Sequence, residues 1–263
     1  MSATHQLLKT IVVPPASGKR ATATLIFAHG LGDTGAGWYD VAQMLSARPA
    51  LQHVRFVLPN APVVPVSLNM GMKMPSWFDI TTLDDVQGAE DEAGLLKSAD
   101  AIKALVDAEI DGSASGLDGQ GVASERVVVG GFSQGGAIAL LAGLTKTPSV
   151  AGIIALSTWL PLRAKLVAPF LPSHAETLPV FMGHGTADPV VRFDFGERSA
   201  KFLRAGDGGG QGLGLGKFRQ TDEGRWRGVW QEAYPGMPHS ACADEIEHLG
   251  QFLEKVVPAS SDE

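Results

Sequence analysis

The residues of this chain best suited to chemistry are a serine, an aspartate and a histidine that lie far apart in the sequence. Ser133 stands within Gly131-Phe-Ser-Gln-Gly135, after the apolar run 127–129 and before the helix-compatible run 137–141. A Gly-x-Ser-x-Gly at a strand-to-helix turn exposes its serine as a nucleophile, and the flanking glycines leave room for so tight a turn. A serine hydroxyl needs a base to take its proton and an acid to orient that base. The pattern therefore requires a histidine and a carboxylate elsewhere in the chain.

Asp188 and His239 meet this requirement. Asp188 follows an apolar run and glycine loop at 178–185, and His239 follows the run 228–234 and a Pro-Gly-Met-Pro turn. Hydrolases with this serine turn place the serine first, then the acid, then the histidine. His184 is a rival base, but it precedes Asp188, so chain order favours His239. The alternatives are a plain turn residue for Asp188, which stands before a proline, and a surface loop residue for His239.

Acyl transfer at Ser133 would also need backbone N–H groups aimed at the oxyanion that forms. One donor belongs to the residue after the nucleophile, which is Gln134. The second is expected from a glycine-rich loop after an earlier strand, and the loop 29–37 after the run 25–28 makes Leu31 the candidate. The competing interpretation is a nucleotide-binding loop. It is disfavoured because the loop lacks the lysine of a phosphate-binding motif and has no acidic residue about 20 positions further on.

Seven segments, in order, resemble the acyl-protein thioesterases, a group of α/β-hydrolases similar to small lysophospholipases and carboxylesterases. The resemblance covers about residues 20–257 and rests on residues 29–35 with Trp38, 58–62, 69–71 with 74–79, 131–136, 156–157 with 159–161, 184–185 with 188–190, and Tyr234 with 236–237 and 239–240. It implies Ser133 as nucleophile, His239 as base, Asp188 as orienting acid, and Leu31 and Gln134 as oxyanion donors. It also implies removal of palmitoyl-type groups from the cysteines of S-acylated proteins.

The order of the apolar runs predicts an α/β fold with a mainly parallel central sheet and helices on both faces. Strands are expected near 25–28, 53–58, 126–130, 152–157, 178–182 and 228–234, and helices after 90–92 and from 242 to 256. We expect a single domain, 1–263, with flexible glycine-rich surface loops at 111–121 and 205–216.

The segment 63–78 is expected to bind the acyl chain, because methionine side chains adapt to a flexible alkyl group. The candidate acyl-binding residues are Met70, Met72, Met74, Trp77 and Phe78, with Trp159 and Leu160 as another wall. Core packing is the alternative for all of them.

Composition narrows the classes of function. A net charge of −7 without a basic cluster argues against nucleic-acid partners and against electrostatic binding to anionic membranes, which leaves at most transient contact with a membrane surface. Cys242 is the single cysteine, so a reducing compartment is expected. With no signal-peptide pattern and no run of the ~20 apolar residues that span a bilayer, the expected location is cytoplasmic, with the nucleus also compatible. Carboxylates without histidine partners predict no metal site, and no cofactor is expected.

Three alternatives to a thioesterase stay open at this point. A lysophospholipase or a general carboxylesterase would use the same serine, aspartate and histidine, so lysophospholipids are candidate substrates. A non-catalytic ligand-binding protein on a hydrolase fold is also conceivable, because fold does not fix function. An exposed apolar channel mouth could support a weak homodimer.

Overall fold

The structure, a computed structural model, describes residues 7–86, 88, 90–166, 173–205 and 212–259. Its centre is an eight-stranded sheet in the order β1-β3-β2-β6-β7-β8-β10-β9, and a separate hairpin pairs β4 with β5. The strands are β1 (Thr10–Val13), β2 (Ala23–Ala28), β3 (Val54–Pro59), β4 (Val63–Val66), β5 (Met72–Pro75), β6 (Val127–Phe132), β7 (Gly152–Leu156), β8 (Pro179–Gly185), β9 (Arg219–Gln220) and β10 (Trp226–Tyr234). The inner strands pair in parallel, whereas β1 and β9 run antiparallel at the two edges.

Helices cover both faces of this sheet. They are α1 (Tyr39–Ser46), α2 (Glu92–Asp111), α3 (Gln134–Thr145), α4 (Phe193–Arg204) and α5 (Ala243–Val256). Side chains of α2, α3 and α4 belong to one buried apolar cluster, and side chains of α1 and α5 belong to the other. Strand β6 shows how the sheet separates them, since Val127 and Val129 join the first cluster and Val128 joins the second. This alternation follows from the two-residue period of a strand.

Local signals in the sequence account for the two longest predicted helices. In α2 the Asp91 carboxylate accepts a hydrogen bond from the Gly94 N–H at 2.9 Å, which caps the helix start. The helix ends at Asp111 and is followed by Gly112, whose φ of 79° is the left-handed conformation that glycine adopts readily. In α5 a stripe that includes Leu249 and Leu253 packs against the sheet, while the opposite face carries charged residues.

The predicted fold class is confirmed, and so are all six predicted strands. Strands β1, β4, β5 and β9 were not expected from the sequence. They are short, β4 and β5 each contain a proline, and the tip of the β4–β5 hairpin is exposed, so none of them carries an apolar run of the usual length. No helix among the described residues is long and apolar enough to cross a membrane.

The two glycine-rich segments make more contacts with the rest of the protein than a free surface loop would make. Between 111 and 121, Leu117 is buried, and the Ser115 carbonyl accepts a hydrogen bond from the Arg55 guanidinium at 2.6 Å. In the second segment, residues 206–211 lie outside the described residues. Leu213 and Leu215 beyond them are buried, and their N–H groups bond to backbone carbonyls of α4.

Candidate active site

Ser133 lies on a strained turn between β6 and α3. Its φ of 55° and ψ of −121° are unusual for any residue other than glycine. The flanking glycines are needed for space, because a Cβ on Gly131 would lie 2.3 Å from the Gly135 backbone and one on Gly135 would lie 2.1 Å from the Ala28 carbonyl oxygen. The turn predicted from Gly-x-Ser-x-Gly is therefore present, and it holds the hydroxyl at the carboxyl end of a central strand.

Asp188 and His239 form a hydrogen-bonded pair. The His239 Nδ1 lies 2.7 Å from Asp188 Oδ2, while the N–H groups of Val190 and Val191 donate to Oδ1 at 2.8 and 2.9 Å. Because a carboxylate only accepts hydrogen bonds, His239 Nδ1 carries the proton and its Nε2 is left free to act as a base.

The surroundings of Asp188 keep it ionised. Burial alone would raise the pKa of Asp188, but hydrogen bonds from His184, His239 and the Val190 N–H, with the charge that His239 carries when protonated, outweigh it. The pKa of Asp188 consequently lies well below its usual range. An ionised carboxylate at this position favours the imidazolium that forms when His239 takes a proton.

His184, the rival base, has a different place. Its side chain is buried. Its Nε2 lies 2.8 Å from the Val191 carbonyl oxygen and 3.4 Å from Asp188 Oδ2. The ring therefore braces the loop that carries Asp188 and is not available to Ser133. In the sequence, the four-residue spacing between His184 and Asp188 is the signal compatible with this role.

His239 contacts the turn that carries Ser133 through the ring of the preceding residue, Phe132. Its imidazole packs on Phe132, with ring centroids 4.6 Å apart. No hydrogen bond joins the Ser133 hydroxyl to His239 in the described part of the chain. Such bonds are commonly long in hydrolases without substrate and shorten in the substrate complex.

The loop that carries Leu31 lies directly beside Ser133. A Cβ on Gly30 would lie 3.3 Å from the Ser133 Cβ, so the two backbones are in contact. The Leu31 N–H donates to no acceptor among the described residues. Gln134 is the first residue of α3, where an N–H has no acceptor within the helix. Both predicted oxyanion donors thus lie beside Ser133, with the Leu31 N–H free of protein acceptors among the described residues and the Gln134 N–H at the open start of α3.

The seven predicted acyl-binding residues do not converge on one channel. Trp77, Phe78, Trp159 and Leu160 are buried in the apolar cluster shared with α2 and α3, so they fill the core. Met70 and Met72 have the opposite environment, being 94% and 61% exposed on the β4–β5 hairpin.

Met74 is the member of this set that stays next to the reacting groups. It is partly buried, and its Sδ lies 3.9 Å from the position of a Cβ on Gly32, the neighbour of Leu31. The sequence predicted a single methionine surface, but the antiparallel pairing of β4 with β5 separates the residues at the hairpin tip from Met74 near its base.

The sequence predicted only a backbone role for Gln134, yet its side chain also clamps the segment 76–78 by hydrogen bonds. Oε1 accepts from the Ser76 hydroxyl at 3.1 Å and from the Trp77 N–H at 3.2 Å, and Nε2 donates to the Phe78 carbonyl at 2.9 Å. The first residue of α3 thereby holds the segment 76–78 against the nucleophile's turn.

Within the described residues, no group of three or more histidine, cysteine, aspartate or glutamate side chains could hold a metal ion.

The sequence of this chain is similar to the sequences of several known proteins. A family model described as Phospholipase/Carboxylesterase matches residues 9–208, which include Ser133 and Asp188. Acyl-protein thioesterase 1 of Mycosarcoma maydis is 59% identical over 253 residues, which are 96% of this chain and 99% of that protein. Acyl-protein thioesterase 1 of Cryptococcus neoformans is 47% identical over 234 residues, with 88% and 91% coverage.

Solved structures show the same architecture. The crystal structure of Arabidopsis thaliana SOBER1 superposes with a TM-score of 0.73 at 27% identity, covering 89% of this chain and 99% of that one. Zea mays acyl-protein thioesterase 2 gives a TM-score of 0.70 at 27% identity, with 95% and 99% coverage. From its sequence, its sheet and the arrangement around Ser133, the chain belongs to the phospholipase/carboxylesterase family of α/β-hydrolases.

Proposed function

We propose that this chain is an acyl-protein thioesterase, which hydrolyses palmitoyl-type thioesters on protein cysteines through an acyl-serine intermediate. The observation that carries the proposal is the hydrogen-bonded pair of Asp188 and His239 beside the strained Ser133. It occurs in a chain 59% identical, over nearly its whole length, to a protein named acyl-protein thioesterase 1.

In the first proposed step, the Ser133 hydroxyl attacks the thioester carbonyl while His239 Nε2 takes its proton. The carbonyl oxygen becomes an oxyanion that accepts hydrogen bonds from the N–H groups of Leu31 and Gln134. Loss of one such donor typically costs ~3 kcal/mol of transition-state stabilisation. The imidazolium of His239 then protonates the cysteine sulfur as it leaves, and the acyl group stays on Ser133.

In the second step, water takes the place of the substrate thiol. His239 Nε2 removes a proton from the water as it attacks the acyl-Ser133 carbonyl, and then returns a proton to the Ser133 oxygen. Asp188 accepts from His239 Nδ1 throughout and keeps the imidazole in the tautomer that both steps need. The net reaction is hydrolysis to a free thiol and a fatty acid, and every proton transfer uses this chain's own side chains.

The beginning of the acyl site is proposed at Met74 and Leu31. Both side chains are partly buried against the apolar core, and both lie at the loop that supplies an oxyanion donor. An alkyl chain entering between them would have its carbonyl next to Ser133. The exposed Met70 and Met72 lie further out on the same hairpin.

Steady-state kinetics of wild type and Ser133→Ala test the proposal. The substrates are a palmitoyl-cysteine peptide, a lysophospholipid and a short-chain ester. We expect the highest kcat/KM on the peptide and loss of turnover in the variant, with an unchanged urea unfolding curve. Substantial hydrolysis by Ser133→Ala would refute the nucleophile. Preference for lysophospholipid would retain the reaction type but change the substrate, and would favour the alternative of a lysophospholipase.

Partners and location are further proposals. S-acylated proteins are the proposed substrates, lysophospholipids are secondary candidates, and a weak homodimer is testable by sedimentation. The cytoplasm is the proposed location because the one cysteine, Cys242, is a free thiol. Imaging of the tagged full-length chain would test it.

A further inference from the structure

The structure assigns His29 a role in the reaction: it is a positioning residue that aims the Leu31 N–H into the oxyanion hole. This inference rests on the proposed acyl transfer to Ser133. Sequence reasoning counted His29 only as the first residue of a glycine-rich loop. In the fold its imidazole is fully buried, and both ring nitrogens form hydrogen bonds with backbone groups.

The two hydrogen bonds define the tautomer of His29. The Ala61 N–H donates to Nε2 at 3.0 Å, so Nε2 is an acceptor and carries no proton. In a neutral imidazole the proton is then on Nδ1, which donates to the Gly30 carbonyl oxygen at 2.6 Å. Burial lowers the pKa of His29 and outweighs both the Gly30 hydrogen bond and the nearby Asp33 charge, which favour the protonated form.

The bond to Gly30 fixes the direction of the Leu31 N–H. The Gly30 carbonyl and the Leu31 N–H belong to one planar trans peptide group, so they point in opposite directions. When Nδ1 holds the carbonyl on one side, the N–H is presented on the other. Glycine has few steric limits, so without this bond the peptide could rotate and turn the donor away from the substrate.

The neighbouring peptide groups are held by other residues. The Trp77 Nε1–H donates to the His29 carbonyl at 2.7 Å, and the Gly32 N–H donates to the Pro75 carbonyl at 2.8 Å. The Gly30 carbonyl has one further donor, the Asp33 N–H at 3.3 Å, within the same turn. His29 is therefore the side chain that holds the peptide whose N–H, that of Leu31, must stay free for the substrate in this loop.

Catalysis by His29 itself does not fit these contacts. Both nitrogens are engaged with backbone groups, and the ring is 0% exposed, so it cannot exchange a proton with the substrate. A purely structural role is the remaining alternative. It differs from positioning in one respect: loss of either hydrogen bond would then matter only through stability.

A matched pair of variants separates the two roles. In His29→Asn the amide nitrogen takes the place of Nδ1 and can still donate to Gly30, but the acceptor for Ala61 is lost. In His29→Gln the amide oxygen takes the place of Nε2 and can still accept from Ala61, but the donor to Gly30 is lost. Each variant loses one buried hydrogen bond, so both should lower Tm by similar amounts.

A positioning role predicts that the two variants differ in kcat although they lose similar stability. We expect His29→Asn to keep kcat within about fivefold of wild type, and His29→Gln to lose about 100-fold with little change in KM, as when an oxyanion donor is removed. A trifluoromethyl ketone, which forms an oxyanion on Ser133, should lose affinity in His29→Gln in proportion to kcat. Equal kcat in the two variants, or unchanged inhibitor affinity, would overturn the inference.

Two further measurements keep the test decisive. If His29→Gln does not fold, 15N NMR of the wild-type imidazole at neutral pH should show a protonated Nδ1 and a bare Nε2, and the opposite tautomer or an imidazolium would refute the role. Kinetics are measured with a short 4-nitrophenyl ester as well as the palmitoyl-cysteine peptide. Failure on the peptide by wild type would count against the proposed substrate, whereas the Asn and Gln variants on the short ester address His29 alone.

Discussion

Asp188 uses its two carboxylate oxygens for different tasks. Oδ1 accepts from two backbone N–H groups of its own loop, whereas Oδ2 accepts from His239 Nδ1 and lies 3.4 Å from His184 Nε2. The backbone hydrogen bonds of the loop and the hydrogen bond to the base therefore use different oxygens, and a substitution can change one without the other.

Asp188→Asn should retain the loop but lose the reaction. Its amide oxygen can replace Oδ1, while its NH₂ faces His239 and can only donate, which forces the proton onto Nε2 and removes the base. We expect kcat to fall ~10⁴-fold, as for the equivalent change in a serine protease triad. Urea unfolding should show a smaller loss of stability than for Asp188→Ala, because the Val190 and Val191 N–H groups keep their acceptor and only the interactions that favour an ionised carboxylate are lost. Asp188→Ala is the comparison, because it also leaves two N–H groups without acceptors and should be clearly less stable; an active Asn variant would contradict the assignment.

At the residue scale, the sequence was sufficient to predict the side chains that take part in the reaction. The glycines around Ser133 and the order of Asp188 and His239 predicted the triad, because the reaction demands those residue types and a hydrolase fold with this serine turn places them in that order. His29 and His184 could not be assigned, since their partners are carbonyls and N–H groups that every residue possesses. Only the fold shows which backbone groups come within reach of a ring.

At the element scale, the start of α3 does more than expose Ser133. The Gln134 side chain fastens the segment 76–78, which is itself the link between the β4–β5 hairpin and α2. Trp77 in that segment donates to the His29 carbonyl, so the clamp also supports the loop of Leu31. Three chain segments around the oxyanion hole thus share one buried hydrogen-bond network.

Gln134→Ala should weaken this network while keeping the backbone donor at residue 134. The Trp77 N–H would be left without its buried acceptor, at about 1–3 kcal/mol. The Phe78 carbonyl would lose one of its two donors and keep the Ser76 hydroxyl at 2.7 Å. We expect the free energy of unfolding in urea to drop by about 2–4 kcal/mol. Ser76→Ala is the matched control, because it removes one hydroxyl and should cost only about 1 kcal/mol. Equal losses in the two variants would show that Gln134 is not a clamp.

Elements with a regular apolar run were predictable, and those without one were not. The six predicted strands carry short apolar runs, and helices α2 and α5 follow the 3.6-residue period of a helix with one buried face. The β4–β5 hairpin is held by backbone pairing and largely exposed, so its sequence reads as a loop. For this reason the methionines of 70–74 were expected to line a common surface, although the hairpin spreads them from Met74 near the core to the exposed Met70.

At the scale of the whole molecule, the parallel sheet brings the site together. Leu31, Ser133, Asp188 and His239 follow β2, β6, β8 and β10, whose carboxyl ends lie along one edge of the sheet. A sequence that predicts parallel strands therefore predicts convergence of the loops after them. Distances within the site depend on side-chain packing from both faces, which the order of elements does not determine.

The molecule also contains a buried carboxyl group, that of Glu245, which should affect the free energy of unfolding of the whole protein. Glu245, in the first turn of α5, is fully buried, neither carboxylate oxygen has a hydrogen-bond partner among the described residues, and Oε1 lies 2.3 Å from where a Cβ on Gly183 would be. Burial raises the pKa of Glu245 to about 8, above its ordinary value near 4.5.

Glu245 therefore predicts a loss of stability at alkaline pH. Between the unfolded and the folded pKa the folded chain holds a proton that the unfolded chain has released, so stability falls as pH rises through this range. From about pH 6 to about pH 9 the loss from this group is up to about 3 kcal/mol. Glu245→Gln, which stays neutral, should match the free energy of unfolding of wild type near pH 4 and exceed it increasingly as pH rises towards 9, because only wild type loses stability as the unfolded carboxyl group ionises. Exposed Glu125→Gln is the control and should show no such pH-dependent gain; the same response in both variants would mean that Glu245 is ionised in the folded protein without penalty.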